Sequence, residues 1–207
     1  MVLDSYRHVA DAFLDPMAKG LANISPNTLS AIAFGAAVLA GLAFYLGGGL
    51  FLGLAFLLVL ANGLFDALDG KVAKLTGKAS ARGDFLDHVL DRYADVVILT
   101  GIAFGPYCPE WLGLLAILGV LLTSYMGTQA QAVGLGRQYG GFLGRADRLV
   151  LLAVAALLQL AVDPAGARPF GLGSAQFTVL GWLMVLFAVL GNVTAIQRAI
   201  STWRRLT

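Results

Sequence analysis

The sequence predicts an all-α integral membrane protein: six transmembrane helices preceded by an N-terminal amphipathic interfacial helix, with a polar cleft open to the cytoplasmic side. Three observations carry this. Of 207 residues, 58% are hydrophobic and only 13% are charged, a balance outside the range of soluble globular domains. The apolar residues gather into runs of about 20, the length that crosses the hydrocarbon core of a bilayer. Between two of these runs lies FDALDGKVAKLTGKASARGDFLDHVLDRYAD, residues 65–95, which holds six of the chain's eleven aspartates. Charges in such surroundings are retained only where they face water, a counter-charge or neighbouring protein.

Taken in order, residues 1–21 mix Val2, Leu3, Val9, Phe13, Leu14 and Met17 with Asp4, Arg7, Asp11, Asp15 and Lys19. That pattern is amphipathic rather than spanning, so a helix lying at the membrane surface is expected, interrupted near Pro16, whose ring removes a backbone donor. A plain solvated helix is its competitor. The loop Ser25-Pro26-Asn27-Thr28 follows, with Ser25 or Asn27 available to cap the first span. Spans are expected at residues 29–46, 50–73, 81–104, 111–133, 145–162 and 175–199, making residues 22–207 a six-helix core within a single membrane domain, 1–207. The Gly and Ala of the first two spans suit close helix packing in lipid. Trp111, Trp182 and Trp203 fall near span ends, where interfacial anchors belong.

Composition also excludes. A formal charge of +2, without a cluster of basic and aromatic residues, argues against a nucleic-acid partner. The single cysteine, Cys108, permits neither an intrachain disulfide nor a thiolate metal site. No secretory leader is expected, since the first apolar run follows several charged residues and has no cleavage pattern. Six spans put both termini on one side. That side collects Arg7, Lys19, Lys71, Lys74, Lys78, Arg82, Arg137, Arg145, Arg148, Arg198, Arg204 and Arg205, against Arg168 alone in the opposite loops. By the positive-inside rule the termini and the acidic cleft face the cytoplasm, in a multi-pass protein of the cell membrane.

The aspartate spacing is itself informative. Asp66, Asp69, Gly70 and Ala73 lie three and four apart and line one face of a helix, while Gly83, Asp87, Asp91 and Asp95 step by four along the next. Two such helices can direct four or five carboxylates into one cleft, where mutual repulsion calls for a cation. Hard divalent cations prefer oxygen ligands, so Mg²⁺ or a similar ion is expected between carboxylates on two facing helices. Gly70 and Gly83 leave space where a side chain would narrow the cleft.

These residues carry a resemblance. The pattern D-x-x-D-G-x-x-A-R, eight residues, then G-x-x-x-D-x-x-x-D characterises the CDP-alcohol phosphatidyltransferases, and Asp66, Asp69, Gly70, Ala73, Gly83, Asp87 and Asp91 match it. Lys74 stands where the family has arginine; it keeps the charge but loses the planar fork that grips two phosphate oxygens. The resemblance implies metal-dependent transfer of a phosphatidyl-type group, diacylglycerol or archaeol phosphate, from a CDP-linked lipid to a polar alcohol, with release of CMP. It implies two Mg²⁺ ions held by Asp66, Asp69, Asp87 and Asp91, with Mn²⁺ as a substitute, and Asp91 as general base. It further assigns CDP-lipid contacts to Ser25, Pro26, Asn27, Thr28, Gly70, Lys74, Ser80 and Gly83, and implies a homodimer. Helix capping alone is the competing account of Ser25, Asn27 and Thr28.

The acceptor pocket is expected between spans four and five. There GGFLGRADR sets Arg145 and Arg148 at a helix start, resembling the arginines that hold the acceptor's phosphate in the phosphatidylinositol phosphate synthases of the family. Where those bacterial enzymes carry a lysine and an arginine late in span four, this chain has Gly127 and Gln129, which resembles the archaeal branch of the family, the archaetidylinositol phosphate synthases. Inositol 1-phosphate is therefore the leading acceptor and glycerol 3-phosphate the second. His88 is expected to point about 100° from Asp87 and to be packed or hydrogen-bonded rather than ligating. Asp84 and Asp95 are expected in structural ion pairs with Arg92, Arg82 or Lys78. A cation- or proton-coupled transporter is the alternative of a different class; it calls for inverted repeats or Gly/Pro-broken helices at matching positions near mid-membrane, whereas the acids here are expected toward one membrane face.

Overall fold

The computed structural model describes residues 7–136, 141, 144–165, 169–172 and 175–206. Among them are seven helices: α1 Arg7–Gly20, α2 Pro26–Leu46, α3 Gly49–Leu75, α4 Ala81–Phe104, α5 Glu110–Ala132, α6 Arg145–Val162 and α7 Val179–Arg205. Helices α2, α3, α5 and α7 are each long and apolar enough to cross a membrane. Helix α4 reaches comparable length but carries Arg82, Asp84, Asp87, Asp91, Arg92 and Asp95, and the 18 residues of α6 open on Arg145, Asp147 and Arg148. Large apolar side chains face outward along the long helices, among them Leu39, Leu57, Leu118, Val154 and Val189, each about half exposed. Apolar surface on that scale belongs against lipid tails.

Local chemistry sets the helix starts. The Ser25 hydroxyl accepts from the Thr28 amide at 3.1 Å, and Ser80 accepts from Gly83 at 3.1 Å, so α2 and α4 each begin with one orphan donor satisfied by a side chain. Gly144 donates to Asp147 at 3.0 Å, which starts α6 beside its two arginines. The sixth expected span begins later than residue 175. Thr178 accepts from the Gly181 amide at 3.0 Å and donates to the Tyr107 carbonyl at 2.5 Å, fixing the start of α7 at Val179. The preceding residues form a two-stranded antiparallel hairpin, β1 Phe170–Leu172 with β2 Ala175–Phe177, paired Phe170 to Phe177. Trp182 anchors it by donating to the Phe170 carbonyl at 3.0 Å, so the chain is not purely α-helical.

Small residues bring the bundle together. Helices α2 and α4 run parallel and touch at Gly41 and Gly101; a β-carbon at Gly41 would lie 2.5 Å from the Val97 carbonyl oxygen, and one at Gly101 would collide with the Gly41 backbone. Helices α5 and α7 meet likewise at Gly119 and Gly191, where Thr123 donates to the Gly191 carbonyl at 2.8 Å and Arg198 to the Thr123 carbonyl at 2.6 Å. Because the clash at Gly101 is with backbone, Gly101→Ala is expected to lose about 3 kcal/mol and to lower the thermal midpoint in detergent by about 5 °C or more. An unchanged midpoint would show that α2 and α4 are not packed this closely.

Helix α1 departs from expectation in one respect: it is continuous through Pro16. Leu14, Met17 and Leu21 pack against a small core of Ala18, Leu29, Leu68 and Val72, and Lys71 of α3 pairs with Asp11 at 2.7 Å and with Asp15. These contacts offset the backbone bond that the proline removes. The expectations placed on Val2, Leu3, Asp4, Arg137 and Arg168 lie outside the described residues, as do those on the side chains of Arg7, His8 and Val9.

Candidate metal and substrate site

The C-terminal half of α3 and the N-terminal half of α4 bring their polar faces together beside the start of α2. Asp66, Asp69 and Asp87 each offer an oxygen within 4.8 Å of the other two, and Asp87, His88 and Asp91 form a second group with the same limit. The four aspartates of the sequence pattern therefore converge. Asp69 and Asp91 are buried, while Asp66 and Asp87 are half-buried at the edge of the cleft. Clustered carboxylate oxygens of this kind are the donor set that a hard divalent cation takes, so the residues present fit such an ion.

Three further residues shape the cluster. Ser30 of α2 donates to Asp69 at 2.5 Å, holding that carboxylate against the α2–α3 seam. Arg145 of α6 bonds Asp66 and, at 2.8 Å, Asp91, so its guanidinium spans the two helices. Asp95 is buried one turn below Asp91, with Arg148 at 2.8 Å and Arg92 at 3.5 Å. The charges thus alternate along the inner face of α4 rather than accumulating.

On one side of the acids a polar cleft is lined by Pro26, Asn27, Gly70, Lys74, Ser80 and Gly83, with Lys78 at its rim. Nothing lies within 4 Å of where a β-carbon on Gly70 would be, and one on Gly83 would stand 3.3 Å from Ser80 and 3.7 Å from Asn27, closing the cleft. On the other side a groove between α3 and α6 is lined by Val59, Leu60, Leu64, Leu149 and Val150 and reaches Asp66, Asp91 and Arg145. The acids sit between a cleft whose lining includes polar and charged residues and a groove lined largely by aliphatic ones.

Several expected residues are placed differently from the rest. The hydroxyls of Ser25 and Thr28 are 2.8 Å apart within the α2 cap, whereas their neighbours Pro26 and Asn27 line the cleft. His88 is not packed away: its side chain is 41% exposed and its nitrogens lie 3.7 Å from Asp84 and 3.8 Å from Asp87. Arg148 is only 5% exposed and is engaged with Asp95, while Arg145 lies at the cleft. Ser30, Asn62 and the Arg145 bridge were not anticipated. Their partners are 39, 29 and more residues away in the chain, and no local pattern marks such pairs.

The fold and this site define a multi-pass membrane protein with an acidic cleft suited to a divalent cation and an anionic, lipid-linked substrate. The profile of the CDP-alcohol phosphatidyltransferases matches residues 23–194. The archaetidylinositol phosphate synthase of Methanothermobacter thermautotrophicus is 32% identical over 99% of this chain and 96% of its own. The phosphatidylinositol phosphate synthase of Cutibacterium acnes is 30% identical over 98% of each chain. Among solved structures, the phosphatidylinositol phosphate synthase of Mycobacterium tuberculosis with CDP-DAG bound superposes with a TM-score of 0.73 at 25% identity, covering 92% of this chain and 93% of that one. The same enzyme in complex with manganese and citrate also gives a TM-score of 0.73, covering 92% of this chain and 88% of that one. The chain belongs to the CDP-alcohol phosphatidyltransferase family, and it is a membrane-embedded transferase of phospholipid biosynthesis.

Proposed function

We propose that the protein transfers a lipid-phosphate group from a CDP-linked lipid to inositol 1-phosphate and releases CMP. The observation that carries this is the position of the four aspartates between a polar cleft and an apolar groove, which suits a donor with a nucleotide at one end and hydrocarbon at the other. In this reading Pro26, Asn27, Gly70, Lys74, Ser80 and Gly83 receive the CDP portion, with Lys74 as a point charge for its phosphates. Ser25 and Thr28 hold the start of α2 over it. The apolar groove between α3 and α6 receives the lipid side.

Asp66, Asp69, Asp87 and Asp91 would hold two divalent ions, Mg²⁺ first and Mn²⁺ as a substitute. What the ions supply when bound is neutralisation of the pyrophosphate and of the charge on departing CMP. The acceptor hydroxyl oxygen attacks the lipid-side phosphorus, the bond from that phosphorus to the CMP oxygen breaks, and the hydroxyl proton passes to Asp91. Arg145 and Arg148 enter at the acceptor side, and Arg145, already against Asp91, is the nearer to the reacting hydroxyl. The buried Asp95–Arg148 pair keeps that end of α6 against α4.

The reading is supported by relatives of the same length that bear inositol-lipid synthase names. We extend the reading to residues 1–207 as a single domain of six spans, α2 to α7, with α1 as an amphipathic helix at the interface. The distribution of Lys and Arg supports cytoplasmic termini and an active site facing the cytoplasm of the cell membrane, and a homodimer is the assembly expected of the family.

The test is CMP release by purified protein given a CDP-lipid, Mg²⁺ and one acceptor at a time: inositol 1-phosphate, glycerol 3-phosphate or free inositol. Release that depends on inositol 1-phosphate is expected. Faster release with glycerol 3-phosphate would transfer the assignment to that alcohol, and release with none of them would defeat the proposed acceptor class.

A further inference from the structure

Two buried polar atoms beside the acidic cluster lack a hydrogen-bond partner within the protein, and they are complementary. One is the side-chain oxygen of Asn62, an acceptor; the other is Nε of Arg145, a donor. Asn62 is 1% exposed, and its Nδ2 donates to the Ala33 carbonyl at 2.9 Å. That bond fixes the amide orientation, because a carbonyl oxygen accepts only from the nitrogen end, and the Asn62 oxygen is thereby left facing away from α2. Asn62 lies four residues before Asp66, on the same face of α3.

Both residues line one small cavity under the acids, shared with Ser30, Asp66, Asp87 and Asp91. It has room for a single water molecule. An unpaired buried amide oxygen costs roughly 1–3 kcal/mol, and so does an unpaired guanidinium donor or more, so a molecule able to satisfy both is strongly favoured there. A chloride or other anion does not suit the place, with three carboxylates in the wall.

We propose that this cavity binds one ordered water, which accepts from Arg145 Nε, donates to the Asn62 oxygen, and donates its second proton to a carboxylate of Asp66 or Asp91. Asn62 then becomes a positioning residue. Locked to the α2 backbone at one end and to the water at the other, it sets how far the Arg145 guanidinium stands from the acids, although it touches no substrate. The kinetic consequence rests on the proposed contact between Arg145 and the acceptor's phosphate; the water site does not.

Two measurements test this. An experimental structure of the wild-type protein that resolves waters is expected to show density about 3 Å from both the Asn62 oxygen and Arg145 Nε. A dry cavity, or Arg145 Nε bonded directly to a protein group, overturns the proposal without recourse to any variant. In the second, Asn62→Leu fills the space and removes the acceptor, and is expected to raise the Michaelis constant for inositol 1-phosphate about tenfold while that for the CDP-lipid stays within about twofold. Asn62→Ser, which keeps a polar group and leaves room for water, is expected to recover most of that loss. A purely structural role would reduce the amount of folded enzyme and the apparent kcat for both variants with neither Michaelis constant changed, and that result also overturns the proposal. Normal acceptor kinetics in Arg145→Ala, together with the expected density, would reject the acceptor assignment and leave the water site standing.

Discussion

Transfer activity is expected to vanish in EDTA and to return with Mg²⁺ or Mn²⁺. The carboxylate oxygens of Asp66, Asp69 and Asp87 lie mutually within 4.8 Å and form an all-oxygen donor set. A pyrophosphate brought to such a cluster meets like charge, and only a bound cation turns repulsion into attraction. Losing one carboxylate from the site removes several kcal/mol of transition-state stabilisation, so Asp→Asn at Asp66, Asp69 or Asp87 is expected to lower kcat/KM by roughly a hundredfold or more. The three variants need not fail alike. Asp66→Asn also frees Arg145 from one of its two partners, and Asp69→Asn alters the bond to Ser30. CMP release measured over a metal titration checks all of this, and full activity in EDTA would remove the metal from the mechanism.

The second large effect is expected on the acceptor. A phosphorylated alcohol brings about two negative charges into a place partly shielded from water, where basic partners count for more than at the surface. Arg145→Ala is expected to raise the Michaelis constant for inositol 1-phosphate at least tenfold, about 1.4 kcal/mol, with little change for the CDP-lipid. Arg148→Ala is expected to act in the same direction and to cost stability as well, because Asp95, 6% exposed, would keep only Arg92 at 3.5 Å. Steady-state kinetics with each substrate varied in turn, alongside thermal midpoints, separates the two effects. Wild-type use of free inositol as readily as inositol 1-phosphate would refute a phosphate pocket.

Much of the site was legible because it is periodic. Aspartates at intervals of three and four on two consecutive helices must share a face, and two faces of like charge separated by a short loop have one economical arrangement, a common cleft with a cation between them. The same reasoning found Gly70 and Gly83. It could not find Ser30 or Asn62, isolated polar residues in the apolar helices α2 and α3, because what makes them part of the site is the register of one helix against the other. Nor could it divide the roles of Arg145 and Arg148. Three residues apart, they are near-equivalents in sequence, and only the packing of α6 on α3, with ion pairs reaching across to α4, sends one to the acids at the cleft and the other to the buried Asp95.

By itself, then, the sequence determined the membrane class, the extents of the long helices to within a few residues, the acidic motif and the chemistry it invites, since composition, hydrophobic run length and residue periodicity are local properties of the chain. The tertiary structure alone decided that α1 continues through Pro16, that residues 170–177 form a hairpin over Trp182, and that Arg145 bridges Asp66 and Asp91. Each of these depends on groups far apart in the chain. A proline is tolerated, a strand pairs and a buried charge finds its counter-charge only when a distant element arrives to satisfy it, and the close approach of helices at glycines such as Gly41 and Gly101 is what brings those elements within reach.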